Sequence, residues 1–193
     1  MNVLRAEPLN LDEKVIHKVV CCLNQGGIIL YPTDTVYGLG CRIDNHDAVK
    51  RVYEIKNRDA GNPLSIACSG IKMLEEYVHL KRKEKLFIRD NAGGGYTFIL
   101  GKKTAVDDLV TGGHDTVGVR LIPLPLVTAV IEGVGCPIVS TSANTSGGSS
   151  PSAIGDVEKE ILDSVDLVVD GGECRIGRPS RVVDLGSKKL LRD

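Results

Sequence analysis

No Cys-x-x-Cys pair occurs among the six cysteines (Cys21, Cys22, Cys41, Cys68, Cys136, Cys174), and the four histidines (His17, His46, His79, His114) stand at no metal-site spacing from them. No zinc site is therefore readable. The opening MNVLRAEPLNLDEK has no apolar centre, and no apolar run reaches membrane length, so a soluble, cytoplasmic protein without a membrane segment is expected. In that setting, cysteines scattered through apolar runs read as reduced core residues. A nucleophilic thiolate needs a basic neighbour, which only Cys41 (beside Arg42) and Cys174 (beside Arg175) have. An excess of either charge is missing too: 24 basic and 25 acidic residues leave a net charge of −1. A broad nonspecific nucleic-acid surface is not implied, although a local patch is still open. No internal repeat is visible, and 193 residues suffice for one domain that buries roughly 70% of its unfolded surface.

What the chain does have is concentrated between Gly27 and Pro63. Ile28-Ile29-Leu30-Tyr31, broken by Pro32 and Thr33-Asp34-Thr35, reads as a buried strand that ends in a polar turn. From about Asp47 to Ile55, Val49, Val52 and Tyr53 recur at helical spacing, so an amphipathic helix is expected whose last turn delivers Lys56, with Arg58 two residues later. In open α/β sheets ligands bind beyond the carboxyl ends of strands. A strand-end Thr-Asp-Thr with two cations behind it suggests an anionic, phosphate-bearing ligand. The plainer alternative leaves Thr33 and Asp34 as turn caps, and Lys56 and Arg58 as favourable charges at a helix C-terminus.

Before this stretch, Asn10-x-x-Glu13 has the form of a capping box for a helix carrying Val15, Ile16, Val19, Val20 and Leu23, which stops at Gly26-Gly27. After it come a short strand over Leu64–Cys68, a helix from near Ser69 to Val78, and a basic helix, KRKEKLFIRDNA, with few apolar residues. Gly93-Gly94-Gly95 opens a strand at Tyr96–Leu100; it reads as a flexible turn or as a place where a ligand approaches backbone closely. Lys102 to His114 reads as irregular, Thr116–Leu121 alternates as a strand, and Leu126–Ile131 reads as a helix closed by Gly133 and Gly135. Strands are also expected at Ile138-Val139, Asp166–Gly172, Arg178–Asp184 and Lys188–Arg192. Some strands adjoin in sequence without a helix between them, so the fold class is mixed α/β (α+β), a twisted open mixed sheet with helices packed on it.

Ser140–Ser150 contains only Ser, Thr, Asn and Gly apart from Ala143. It leaves a core strand directly, so it reads as a binding loop rich in hydroxyls and free N–H groups, and less readily as a linker. As a ligand clamp it should be mobile when empty and ordered when filled.

These segments resemble the YrdC-like family of threonylcarbamoyl-AMP synthases. The resemblance is carried by YPTDTVYGLGC (31–41), Lys56-Asn57-Arg58 followed by Asn62-Pro63-Leu64, TVGVR (116–120), STSANTSG (140–147), Asp170-Gly171-Gly172 and PSRVVD (179–184). It covers nearly the whole chain and implies a single YrdC-like domain over 1–193 with one concave basic and polar cleft. It also implies an enzyme, a nucleotidyltransferase that makes threonylcarbamoyl-AMP and pyrophosphate from L-threonine, bicarbonate and ATP for the modification of tRNA. The resemblance places threonine at Thr33, Arg120, Ser140 and Ser180. It places ATP at Lys56, Arg58, Thr116, Ser142, Asn144, Ser150 and Arg192, with Lys56 and Arg58 as the catalytic cations. Mg2+ would arrive with ATP, without a protein cage. Because the family is similar to proteins that bind double-stranded RNA and tRNA, the resemblance also implies tRNA or double-stranded RNA and a downstream threonylcarbamoyl transferase complex as partners.

The chain departs from the family pattern at four places. Asp59 follows the Lys-x-Arg where proline is usual, Ala67 stands in place of a histidine that helps to hold threonine, Gly93-Gly94-Gly95 replaces Pro-Gly-Pro, and Arg181 replaces a threonine after Ser180. Altered substrate binding is the expectation. Two other readings stay open: a non-catalytic module that binds double-stranded RNA or tRNA, and a carbamoyl-transfer domain that uses carbamoyl phosphate.

Overall fold

The computed structural model describes residues 2–193. The strands are β1 (Val3–Arg5), β2 (Ile29–Tyr31), β3 (Gly38–Gly40), β4 (Ser65–Cys68), β5 (Tyr96–Gly101), β6 (Thr116–Leu121), β7 (Ile138–Val139), β8 (Thr141–Ser142), β9 (Leu167–Asp170), β10 (Arg181–Asp184) and β11 (Lys189–Arg192). The helices are α1 (Glu13–Asn24), α2 (His46–Ile55), α3 (Ile71–Tyr77), α4 (Arg82–Asn91), α5 (Asp108–Thr111), α6 (Pro125–Val134) and α7 (Lys159–Ser164). No helix is long and apolar enough to cross a membrane among the described residues.

The expected mixed architecture is present, divided into two sheets. One has the order β1-β9-β2-β3-β8 and the other β11-β10-β5-β6-β4-β7. Alternation along β2 decides how the cores form, because neighbouring side chains on a strand point to opposite faces. Leu30 joins a cluster containing Leu39, Val52, Ile66, Phe98 and Val119, while Ile29 and Tyr31 join a second one with α1 and α6. There Val15, Val19 and Leu23 meet Leu126, Val130 and Ile131.

Gly133 lies inside α6 and does not end it; a Cβ there would stand 2.8 Å from Val20 Cγ2, so the bare backbone permits α1 and α6 to approach closely. The expected cap at Asn10 moves to Asp12, whose carboxylate accepts from Lys14 N at 2.9 Å and Val15 N at 3.2 Å. The segment expected to be irregular contains α5. Its short helix is started by Asp107, which accepts from Leu109 N at 2.8 Å.

β3 has no signature in the sequence because Gly-Leu-Gly reads as a turn. It is a strand because it pairs antiparallel with β2, Tyr31 opposite Gly38 and Ile29 opposite Gly40. The front of this sheet continues into β8, where Gly38 pairs with Ser142. The polar segment after β7 is thereby fixed to the strand that follows Thr33-Asp34-Thr35.

Candidate active site

The turn after β2, the start of β4 at Ser65, Gly118 and Arg120 of β6 and the segment after β7 open on one cleft with a volume of about 440 Å³. α2 ends at its lip. Asn45 caps this helix by accepting from Ala48 N at 3.0 Å, and Lys56 is its C-terminal cap. Asn57 then takes φ +46°, a left-handed step that turns the chain so that Arg58 follows Lys56 into the cleft lining.

Lys56, which by its place in the sequence reads as a charge at a helix end, is only 2% exposed. Its ammonium donates to the carbonyl oxygens of Ser142 and Asn144, the latter at 2.7 Å. Burial, then the neighbouring Arg58 charge, push its pKa down to about 8, while Glu158 opposes this. This lysine therefore has a structural duty, holding the 142–148 backbone against the end of α2. Arg58 is more open and donates to Asn62 O at 3.1 Å and Pro63 O at 3.0 Å.

The loop expected to be mobile is tied at several further points. Ser146 N donates to Lys56 O at 2.9 Å. Asn144 Nδ2 donates to Thr145 O at 2.7 Å and Gly148 O at 2.8 Å, while the Thr145 hydroxyl donates to Glu158 at 3.0 Å. Asn144 Oδ1 is buried and has no partner among the described residues, an acceptor held ready at the cleft wall.

Arg120 reaches the floor from β6. Its Nη2 donates to Asp34 Oδ1 at 2.6 Å and Thr35 Oγ1 at 2.8 Å. The pair is sequestered, with side chains 9% and 3% exposed. Asp34 is therefore a fixed counter-charge behind the arginine, whereas Arg120 itself lines the cleft. Thr33 builds the turn that positions Asp34: its hydroxyl donates to Val36 O at 2.7 Å and accepts from Thr35 N at 3.1 Å and Val36 N at 3.2 Å.

Opposite, Ser180 Oγ and Thr97 Oγ1 share a hydrogen bond of 2.7 Å. Arg192, brought in by β11, donates to Ser180 O from Nε at 2.9 Å and Nη2 at 2.8 Å. Burial, and then the charge of Arg120, lower its pKa from the ordinary guanidinium value. Lys56, Arg58, Arg120 and Arg192 thus face one cavity whose lining contains no carboxylate among the described residues. Such a cleft is built for an anion with several charged oxygens.

Of the sequence-derived site residues, Thr33, Lys56, Arg58, Arg120, Ser140, Ser142, Asn144, Ser150, Ser180 and Arg192 all line this cleft. Thr116 does not. It is exposed at the start of β6 and lines a separate depression with His79 and Lys103. It shares a face with Gly118 and Arg120 but lies too far back along the strand. Sequence reading missed Thr97, Ser65 and the Asp34 pairing. A threonine amid Tyr96, Phe98 and Ile99 was the available signal for the first of these.

The departures also find their places. Asp59 turns its carboxylate onto Gly61 N at 2.7 Å, and Arg181 stacks over the Tyr96 ring, 5.8 Å from its centroid. Neither lines the cleft. Ala67 is fully buried in the α1/α6 cluster and paired on both sides, with Arg120 and Ile138. Ala67→His should consequently overfill the core and lower stability by about 1–3 kcal/mol. Thermal melting of the variant reads this directly, and an unchanged melting temperature would mean that the imidazole finds space toward the cleft.

Neither cysteine with a basic neighbour in the sequence is set up as a nucleophile. All six are free, and burial pushes the thiols of Cys41 and Cys174 up to about 12 and about 11. The basic neighbours recognised in the sequence do not offset that.

Comparison with known proteins places the chain in a family. The Sua5/YciO/YrdC family model, described as telomere recombination, matches residues 21–193. The threonylcarbamoyl-AMP synthase of Xanthomonas axonopodis pv. citri is 34% identical over 185 residues, which cover 94% of this chain and 99% of that protein. Among solved structures, YciO of E. coli superposes with a TM-score of 0.90 at 28% identity, covering 100% of this chain and 96% of that one. Sua5 of Pyrococcus abyssi, complexed with L-threonine, superposes with a TM-score of 0.86 at 34% identity; 96% of this chain is covered but only 54% of that one. This chain therefore spans about half the length of the archaeal protein and nearly all of the two bacterial ones. From the family model and these relatives together, the chain belongs to the Sua5/YciO/YrdC family.

Proposed function

We propose that this chain is a threonylcarbamoyl-AMP synthase. It condenses L-threonine, bicarbonate and ATP into threonylcarbamoyl-AMP and pyrophosphate, for transfer by a separate enzyme complex onto tRNA. The observation that carries the reading is the carboxylate-free cleft, in which Arg58 lies near Lys56 and Arg120 near Arg192. Arg120 and Arg192 lie on the β6/β11 side, and Lys56 and Arg58 lie at the end of α2 beneath the polar loop.

Arg120 suits an amino-acid carboxylate, with the hydroxyls of Thr33, Ser140 and Ser180 around it; Arg192, placed with ATP by the resemblance, stands on this same side because its guanidinium donates to Ser180. Asp34 leaves the remaining N–H groups of Arg120 to a ligand while fixing the guanidinium plane. Lys56 and Arg58 suit a triphosphate, with Ser142, Ser150 and the unpartnered Asn144 Oδ1 available to the nucleotide. In the reaction the threonine nitrogen attacks the carbon of CO2 derived from bicarbonate. The resulting N-carboxylate oxygen then attacks the α-phosphorus, and the bond to pyrophosphate breaks as the electron pair leaves with it.

The protein's contribution is to place these groups in line and to meet charge that builds on the phosphate oxygens. Mg2+ would be held by the phosphates and water, shielding the same charge; serine and threonine hydroxyls and Asn144 Oδ1 are oxygen ligands the cleft offers. Because no protein carboxylate competes at the cleft wall, the metal can enter with its nucleotide.

Two measurements check the nucleotide assignment. Calorimetric affinity for a non-hydrolysable ATP analogue should weaken as pH rises through about 8. In the free protein Lys56 loses its proton there, and the bound anion favours the charged form. A flat profile would place the titrating ammonium outside the nucleotide's reach. Hydrogen exchange of amides 141–150 should slow on adding the analogue with magnesium, least at the residues already tied by Lys56. Unchanged exchange with the analogue bound would move the nucleotide elsewhere.

A further inference from the structure

Tyr31 is 2% exposed, and its hydroxyl is buried without a hydrogen-bond partner among the described residues. Leaving such a group unpaired is costly, whereas a phenylalanine would fill the same space without that cost. The fold nevertheless clears a seat for this ring. Tyr31 pairs with Gly38 across β2 and β3. A Cβ on Gly40 would stand 2.9 Å from Tyr31 Cε1, and one on Gly38 would stand 3.4 Å from it.

From this seat, flanked at Gly40 by Val139 O and at Gly38 by Thr141 O, the hydroxyl end approaches Ser140 without a well-formed hydrogen bond to it and lies within the fields of Arg120 and Asp34. Burial pushes its pKa up to about 12, so it remains a neutral donor. Ser140 is 5% exposed and lines the cleft, and its own backbone is pinned by Ser140 N donating to Ser65 O at 2.8 Å. The serine hydroxyl is the link between the tyrosine behind it and whatever occupies the cleft in front.

We infer that Tyr31 is a positioning residue for the amino-acid substrate. When L-threonine binds, the tyrosine O–H donates to Ser140 Oγ, and the serine O–H is thereby directed forward onto an anionic oxygen of the ligand. This rests on the threonine reading of the cleft given above. Donation in this direction leaves the tyrosine with its missing partner, and the two bonds polarise each other. The seat, the orphan hydroxyl and the serine at the cleft wall have one common purpose in this arrangement.

The test uses Tyr31→Phe, Ser140→Ala and the double variant, with L-threonine and ATP-analogue affinities measured calorimetrically and the unliganded melting temperature recorded. Tyr31→Phe should melt no lower than wild type yet bind L-threonine about fivefold to tenfold more weakly, the usual loss for one hydrogen bond, with ATP-analogue affinity unchanged. The double variant should bind L-threonine no worse than Ser140→Ala alone. A lower melting temperature with unchanged threonine affinity would make Tyr31 purely structural and overturn the proposal. Additive losses would also overturn it, since the tyrosine would then act without the serine. If wild type itself failed to bind L-threonine, the substrate reading would fall and this inference with it; binding by wild type that Tyr31→Phe leaves intact removes the inference alone.

Discussion

Arg120→Ala should lower synthase activity by about a hundredfold or more and destabilise the fold at the same time. The rate effect follows from losing a cation aimed at substrate charge, for which loss of a single preorganised donor gives the scale. The stability effect has a separate origin. Asp34 is 3% exposed and its partner on the cleft floor is Arg120, so truncation leaves a buried carboxylate uncompensated. Breaking one side of a buried ion pair costs about 3–5 kcal/mol. Arg120→Ala with Asp34→Asn should recover most of the melting temperature and none of the activity. Recovery of both would mean that Arg120 serves only to neutralise Asp34.

Lys56→Met is expected to have the next largest effect, and its signature should be different. Methionine retains an apolar stem in the buried channel but removes the donor to Ser142 O and Asn144 O. Amides from 142 to 148 should exchange faster in the unliganded variant, and pyrophosphate formation should fall by about a hundredfold. Removing a desolvated ammonium offsets part of the lost hydrogen bonding, so the melting temperature should move less than in Arg120→Ala. Normal turnover with a loosened loop would reduce Lys56 to a structural anchor.

Local pattern made much of the architecture legible. The apolar spacing of Val49, Val52 and Tyr53 placed α2, and the break at Pro32 placed the end of β2, so the two sources of the cleft were visible before any tertiary contact. The motif resemblance named Ser140, Ser180 and Arg192, which line one cleft although no periodicity could have brought them together; it did not foresee that Arg192 is held by Ser180. What stayed hidden was set by tertiary contact. Gly38-Leu39-Gly40 has no strand propensity of its own and becomes β3 only by pairing with β2 and β8. Lys56 reads as a solvated helix-end charge until the Ser142–Asn144 carbonyls close over it. Thr116 shares the alternation of Gly118 and Arg120, which tells which face it occupies but not how far along the strand the cleft extends. Asp59 and Arg181 looked like charges added to the site, and turn geometry and an aromatic stack divert them from it.

The most direct measurement is to supply the purified protein with ATP, magnesium, L-threonine and bicarbonate, and to follow pyrophosphate together with threonylcarbamoyl-AMP by mass spectrometry. The account predicts equal amounts of the two products and no turnover when L-threonine or bicarbonate is withheld. Pyrophosphate formed without threonine, product formed only from carbamoyl phosphate, or salt-sensitive RNA binding with no nucleotide turnover would each contradict it.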